Sequence, residues 1–298
     1  MRLVLEFKQL ELNDMEIIRP YFNNGAAICD NTPATQMMWR EIFKTEYAIK
    51  DETLILKQRY FDGSVAFLMP LGENVEGALL NMNEWCIKQE IPFKICFATK
   101  EQTELIEKLF ETSIHEEPDW ADYVYNLSDL ADMTGKKYNG QRNHINAFKR
   151  INSDFRFKYL SKENSDEAEA FFAKYNQNTD KESSLFYAEQ KMVYEALSNP
   201  DVYKMTGLCL YVNGKIVGFT AGEVVGDTLY VHIEKADTSV RGAYQMLVKE
   251  FASLHRGKAE FINREEDMGD EGLRKSKLSY QPIKLISKYT VDIMEGNL

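Results

Sequence analysis

Apolar positions fall in short runs whose period switches between about 2 and about 3.6 residues, as in strands interleaved with amphipathic helices. Residues 1–12 read as extended, and Asn13-Asp14 is expected to cap a helix reaching about residue 21. After a loop holding Gly25 and Pro33, a helix is predicted over 34–44 and strands over 46–49 and 53–59. Asp62-Gly63 is a hairpin turn into a strand over 64–70. A helix over 75–89, a buried strand over 93–98 and a helix over 101–112 complete the first half.

The second half repeats this order. Helices are predicted over 165–177 and 188–198, then a hairpin of 207–212 and 216–224 turned by Asn213-Gly214. Gly226-Asp227 turns into a strand over 228–236, followed by a helix over 242–255 and a strand over 259–263. Val75-Glu76-Gly77-Ala78-Leu79 aligns with Val240-Arg241-Gly242-Ala243-Tyr244, an offset of 165 residues. A tandem duplication of one α/β unit is therefore expected, against the alternative of two mixed domains sharing a strand–helix junction by chance. The expected division is a first unit over 1–130, a basic linker helix over 131–160 and a second unit over 161–298.

The length of 298 residues suits two domains, each large enough for its own core. No run of 18 apolar residues suggests a membrane-spanning helix, and charge interrupts the first eight residues too early for a secretory signal. The four cysteines, Cys29, Cys86, Cys96 and Cys209, form no C-x-x-C pair and suit a reducing compartment. The four histidines, His115, His144, His232 and His255, show no metal-ligand spacing, so no metal is expected. The expected location is cytoplasmic, with attachment to a membrane surface left open. A net charge of −11 argues against a surface that coats nucleic acid or anionic lipid.

The exception is residues 135–150, the most basic stretch of this acidic chain. It carries Lys136, Lys137, Arg142, Asn143, His144 and Lys149, with Ile145, Phe148 and Ile151 at helical spacing. Such a patch suits an anion site or, equally, a solvated face that balances acidic surroundings.

Three antiparallel strands followed by a helix with glycine in its first turn resemble the core of the GNAT acyltransferase fold. Two runs narrow the resemblance: Lys136-Lys137 through Arg142-Asn143-His144 to Phe148, and the stretch from Asn263-Arg264-Glu265-Glu266-Asp267 through Arg274-Lys275-Ser276-Lys277 to Tyr280-Gln281-Pro282. Together they resemble the family of the C-terminal domain of bacterial phosphatidylglycerol lysyltransferases, which is related to the Fem-family peptidyltransferases. The resemblance implies an α/β (α+β) protein of two tandem GNAT-like units, each a mixed, largely antiparallel sheet flanked by helices. It also implies aminoacyl transfer from aminoacyl-tRNA to an amine or hydroxyl acceptor. Lipid-modifying members carry a large membrane domain ahead of this unit, which these residues lack, so small-molecule and peptide acceptors stand beside a lipid one. No permanently bound cofactor is expected: aminoacyl-tRNA would be a co-substrate, with acetyl-CoA the alternative.

The usual coenzyme A signature is Q/R-x-x-G-x-G/A at a helix N-terminus, where backbone N–H groups hold the pyrophosphate. With Gly242 as its first glycine, Ser239 and Tyr244 fail the pattern, and with Gly77, Asn74 and Leu79 fail it. An aminoacyl ester is already activated and needs mainly positioning and oxyanion donors. Asn263, Arg274, Lys277 and Tyr280 are the candidate catalytic residues, although a tyrosine placed like Tyr280 is more often a core-edge residue than a catalytic acid. Glu265, Glu266, Asp267, His232 and Tyr244 are candidates for substrate binding; the acidic triplet fits either an ammonium grip or the cap of a helix over 271–278, with Asp270 as the cap residue. Gly269 and Gly272 are expected to shape the loop before it. Lys136, Lys137, Arg142, Asn143, His144, Lys149 and Gly242 are candidates for donor phosphates, with Arg274 and Lys277 alongside. Acyl-CoA-dependent N-acetyl transfer and a silent amino-acid or peptide binding module remain the alternatives.

Overall fold

The computed structural model describes residues 5–23, 27–60, 62–177 and 184–294. The expected elements at residues 1–4 and the loop glycine Gly25 lie outside them. The chain divides into unit 1, Met1–Ala121 with Ile286–Leu298, and unit 2, Asp122–Leu285.

Unit 1 opens with β1 (Lys8–Gln9) and α1 (Met15–Ile18). The Asp14 carboxylate accepts no capping bond from that helix; it instead accepts from Glu11 N and Lys8 Nζ. α2 (Pro33–Trp39) starts where Thr32 accepts from Thr35 N and proline occupies the first turn. It ends five residues before the expected 44. Strands β2 (Glu46–Lys50), β3 (Thr53–Arg59), β4 (Val65–Phe67) and β5 (Leu71–Gly72) follow. Then come α3 (Val75–Gln89), β6 (Phe93–Ala98), α4 (Lys100–Glu107), begun by a Thr99/Gln102 capping box, and β7 (Thr112–Glu116). The sheet order is β1-β2-β3-β4-β6-β15-β7, with β5 on β3 and β15 being Tyr289–Ile293. Phe67, Leu79, Met82, Ile95 and Val291 centre its core.

Unit 2 begins with β8 (Asp122–Asn126), α5 (Leu127–Asp132), α6 (Asn139–Ile151) and β9 (Phe155–Tyr159). Helices α7 (Ser165–Asn176), α8 (Ser184–Ser198) and α9 (Pro200–Tyr203) precede the strands β10 (Thr206–Val212), β11 (Lys215–Val225) and β12 (Thr228–Ala236). α10 (Ala243–Leu254), β13 (Phe261–Asn263), α11 (Glu271–Ser279) and β14 (Lys284–Ile286) complete it. The order is β14-β8-β13-β12-β11-β10-β9. β9 to β12 pair antiparallel, β12 and β13 parallel, β13 and β8 antiparallel. Both sheets are the mixed, largely antiparallel, helix-flanked arrangement expected of tandem GNAT-like units.

The unit boundaries differ from the expected 1–130, 131–160 and 161–298. Residues 131–160 are no free linker, because Tyr138, Ile145 and Phe148 pack into the unit 2 core. β15 follows unit 2 in sequence yet pairs with β6 and β7 of unit 1. β8 sits between β13 and β14 of unit 2. If 1–130 is one ancestral copy, each copy gives its last-position strand to the other's sheet.

The duplication also has a different register from the expected 165. The helix caps Asn74 and Gly242 stand 168 residues apart, as do the strand starts Phe93 and Phe261. Phe97 and Glu265, again 168 apart, both adopt φ of 56°. A left-handed backbone at two non-glycine residues in corresponding places marks the same strained turn twice. No helix among the described residues is long and apolar enough to cross a membrane.

Candidate functional site

β12 and β13 pair in parallel only through Thr228–Phe261, Leu229–Ile262 and Tyr230–Asn263. β12 then runs on to Ala236, while the chain after β13 stays with β8 through Arg264 N to Tyr123 O, 3.0 Å, and Tyr123 N to Glu265 O, 3.2 Å. The two strands therefore part at their carboxyl ends, the usual place for ligands in α/β sheets.

Side chains bridge this crevice. The β11–β12 register slips between Ala221 and Gly222, which face Ile233 and Val231, so His232 is the extra residue of a bulge. Its Nδ1 lies 2.8 Å from Glu265 Oε1 and its Nε2 3.2 Å from Glu223 Oε1. Burial alone would lower the imidazole pKa, but the two carboxylates override it and raise it to about 10. His232 is thus an imidazolium with both N–H groups donating. Arg264 Nη2 lies 2.7 Å from Glu234, and its guanidinium stands over the Tyr125 and Tyr280 rings at 5.9 and 4.6 Å. Glu265, with 24% of its side chain exposed, is the most accessible member; His232 has 2% and Glu223 5%.

Asn263 and Glu265 come together here. Asn263 is buried, donates to Asp122 Oδ2 at 2.6 Å and accepts from Glu265 N at 2.8 Å, which fixes the strained turn. Tyr280 is buried against Arg264. The neighbouring cations serve the scaffold. Arg274 grips Asp267 through Nε at 2.9 Å and Nη2 at 2.7 Å, and Tyr123 donates to the same carboxylate at 2.5 Å. Led by the Arg274 bonds, these contacts lower the Asp267 pKa to about 2. Lys277 is buried and donates to the Arg264 carbonyl at 2.5 Å and to the Glu266 carbonyl, while burial lowers its pKa. Asp270 caps α11 by accepting from Leu273 N at 2.6 Å. Gly269, at φ of 80°, shapes the loop as expected, whereas Gly272 lies inside α11.

The basic stretch forms the start of α6 and the turn before it. Lys137 pairs with Asp129 at 2.7 Å, and Arg142 donates to the Met133 and Gly135 carbonyls at 2.5 and 2.7 Å. Lys136, Asn143, His144 and Lys149 are exposed. Gly242 caps α10 at φ of 87°; a Cβ there would overlap the His144 carbonyl oxygen and lie 3.0 Å from Phe148 Cβ. What that glycine does here is let α10 start against α6. Tyr244 is half-buried in α10, its hydroxyl 3.3 Å from that of Tyr175.

Sequence reading missed Glu223, Glu234 and Arg264. The signal was present: Glu223, His232 and Glu234 interrupt otherwise apolar strands. Among the described residues, the corresponding positions of unit 1 carry other side chains. Its parallel pair Phe67–Ile95 corresponds to Tyr230–Asn263, which places Cys96 and Phe97 where unit 2 has Arg264 and Glu265. Lys57 pairs with Phe67 as Glu223 pairs with Tyr230, and Met69 stands two residues past Phe67 as His232 does past Tyr230.

A family model described as phosphatidylglycerol lysyltransferase, C-terminal, matches residues 25–292. The chain belongs to that family. A conserved protein of unknown function from Bacteroides thetaiotaomicron has a solved structure similar at a TM-score of 0.92 and 33% identity, covering 98% of this chain and 100% of that one. The L-PGS structure from Bacillus licheniformis shares the fold at a TM-score of 0.69 and 15% identity, covering 98% of this chain and 94% of that one. An uncharacterized protein of Mycoplasmoides gallisepticum is 26% identical over 185 residues, 61% of this chain. That match spans only 58% of the relative's length.

Proposed function

We propose that this acyltransferase-fold protein moves an aminoacyl group from aminoacyl-tRNA to an amine or hydroxyl acceptor, with the chemistry in the unit 2 crevice. The observation that carries this reading is the crevice charge. Glu223, Glu234, Glu265, Glu266 and Asp122 stand against three cations, His232, Arg264 and Lys277, leaving an excess of negative charge beside a strained turn. An ammonium group of an aminoacyl donor or of an amine acceptor fits that excess.

The ester needs little activation, and an acceptor α-amine of pKa about 7.7–8.0 is partly neutral at neutral pH. His232 stays protonated and serves as a positioning cation rather than a base. Glu265 is placed to hold the ammonium or to take the proton that the amine loses on attack. Exposed Lys136 and Lys149 suit the donor's phosphates, while Arg274 and Lys277 are committed to Asp267 and to backbone carbonyls.

Thermal unfolding with a pool of aminoacyl-tRNA, uncharged tRNA, free amino acids and acetyl-CoA tests the reading. A ligand at a hundredfold over its Kd stabilises by about 2.7 kcal/mol. The expected result is a larger shift with charged than uncharged tRNA, lost in high salt. A shift with acetyl-CoA alone would overturn it in favour of ordinary N-acetyl transfer.

A further inference from the structure

Unit 1 holds a buried charged cluster that the proposed transfer does not use. Lys288, the residue before β15, has no exposed surface. Its Nζ lies 2.5 Å from Asp30 Oδ2 and donates to Cys29 Sγ at 3.3 Å. Cys29 is 2% exposed and in no disulfide. The Phe97 ring covers the ammonium at 5.5 Å. The Asp30 carboxylate beside it favours the charged form of the buried lysine, against the cost of its burial. A thiol in direct contact with the same nitrogen adds a second nucleophile to a site closed to water.

We propose that Cys29 and Lys288 form an oxidative cross-linking site, joined through one oxygen atom as an N–O–S bridge. Molecular oxygen is the oxidant, small and uncharged enough to enter a packed interior. The ammonium of Lys288 gives one proton to the Asp30 carboxylate. The freed amine and the thiol then lose one hydrogen each. One oxygen atom of O₂ enters between nitrogen and sulfur, forming the N–O and O–S bonds, and the other leaves as water. Nitrogen and sulfur are oxidised and O₂ is reduced. The bridge would tie the stretch before α2 to the start of β15, the strand held between β6 and β7. A tie across so long a loop restricts the unfolded chain and raises the melting temperature.

The test compares protein exposed to oxygenated buffer with protein kept in dithiothreitol, each digested without reduction and read by mass spectrometry. The expected product joins the peptide holding Cys29 to the peptide holding Lys288, with one oxygen gained and two hydrogens lost. Dithiothreitol should separate the pair. Cys29→Ala, which keeps the Lys288–Asp30 ion pair, should yield no linked peptide and no rise in melting temperature on oxygen exposure. Recovery of Cys29 as a free thiol or an unlinked sulfinic acid after oxygen exposure would overturn the proposal. So would a linked pair with no oxygen gained, which is a direct N–S bond.

Discussion

Replacing His232 by glutamine tests the crevice electrostatics most sharply. The change removes the imidazolium and leaves Glu223 and Glu265 facing one another across nearly buried space. Removing one partner of a buried charge cluster costs about 3–5 kcal/mol. At about 2–4 °C per kcal/mol for a unit of this size, the melting temperature near pH 6 should fall by roughly 6–20 °C. The pH dependence has a defined sign. The His232 pKa of about 10 in the folded protein exceeds the unfolded value of about 6.5. Its stabilisation is therefore complete below about pH 6.5 and is lost as pH rises toward 10. Parent and variant should converge on the alkaline side. Calorimetry across this range is the assay, since it separates the two units if they melt apart. A variant within about 1 kcal/mol of the parent near pH 6, or a gap that widens toward pH 10, would refute the reasoning.

Other expectations follow from single contacts. Asp267→Asn should cost about 2 kcal/mol at neutral pH, because the carboxylate pKa near 2 lies about two units below its unfolded value; urea titrations should show this contribution present above about pH 4 and lost as pH falls toward 2. Gly242→Ala should destabilise by about 2 kcal/mol or more through its left-handed backbone and its overlap with His144, whereas Gly140→Ala, in open space on α6, should be neutral or stabilise by up to about 1 kcal/mol in the same melts. Lys136→Glu with Lys149→Glu should weaken aminoacyl-tRNA binding and flatten its salt dependence, measured by filter binding, without changing stability by more than about 0.5 kcal/mol.

Much of the fold was legible because its signals are local. The helix over 75–89 and the strands over 53–59, 93–98 and 228–236 match their observed bounds. The Asp270 cap was readable from its place before the helix. What was missed depends on long-range pairing. β7, β8, β14 and β15 are short, and β15 finds its partners some 170 to 200 residues away, where no sequence period can point. The register of the duplication was misplaced because glycine does different work in the two copies: Gly77 lies inside α3, capped by Asn74, whereas Gly242 is itself the cap of α10. The site residues followed the same logic. Glu265 and Asn263 were visible in a charged run, but its lysine and arginine proved to be internal braces. Glu223 belongs to the cluster only because a bulge turns His232 between the strand and the loop, and Glu234 joins it through Arg264.

The most direct test of the account is release of labelled amino acid from a pool of aminoacyl-tRNAs in the presence of candidate acceptors. The parent protein should be compared with Glu265→Gln in the crevice and with Glu271→Gln on exposed α11, a matched loss of charge. The account predicts release by the parent and by Glu271→Gln, and a loss of about a hundredfold or more in Glu265→Gln. Equal release by all three proteins, or consumption of acetyl-CoA with no aminoacyl-tRNA turned over, would contradict it.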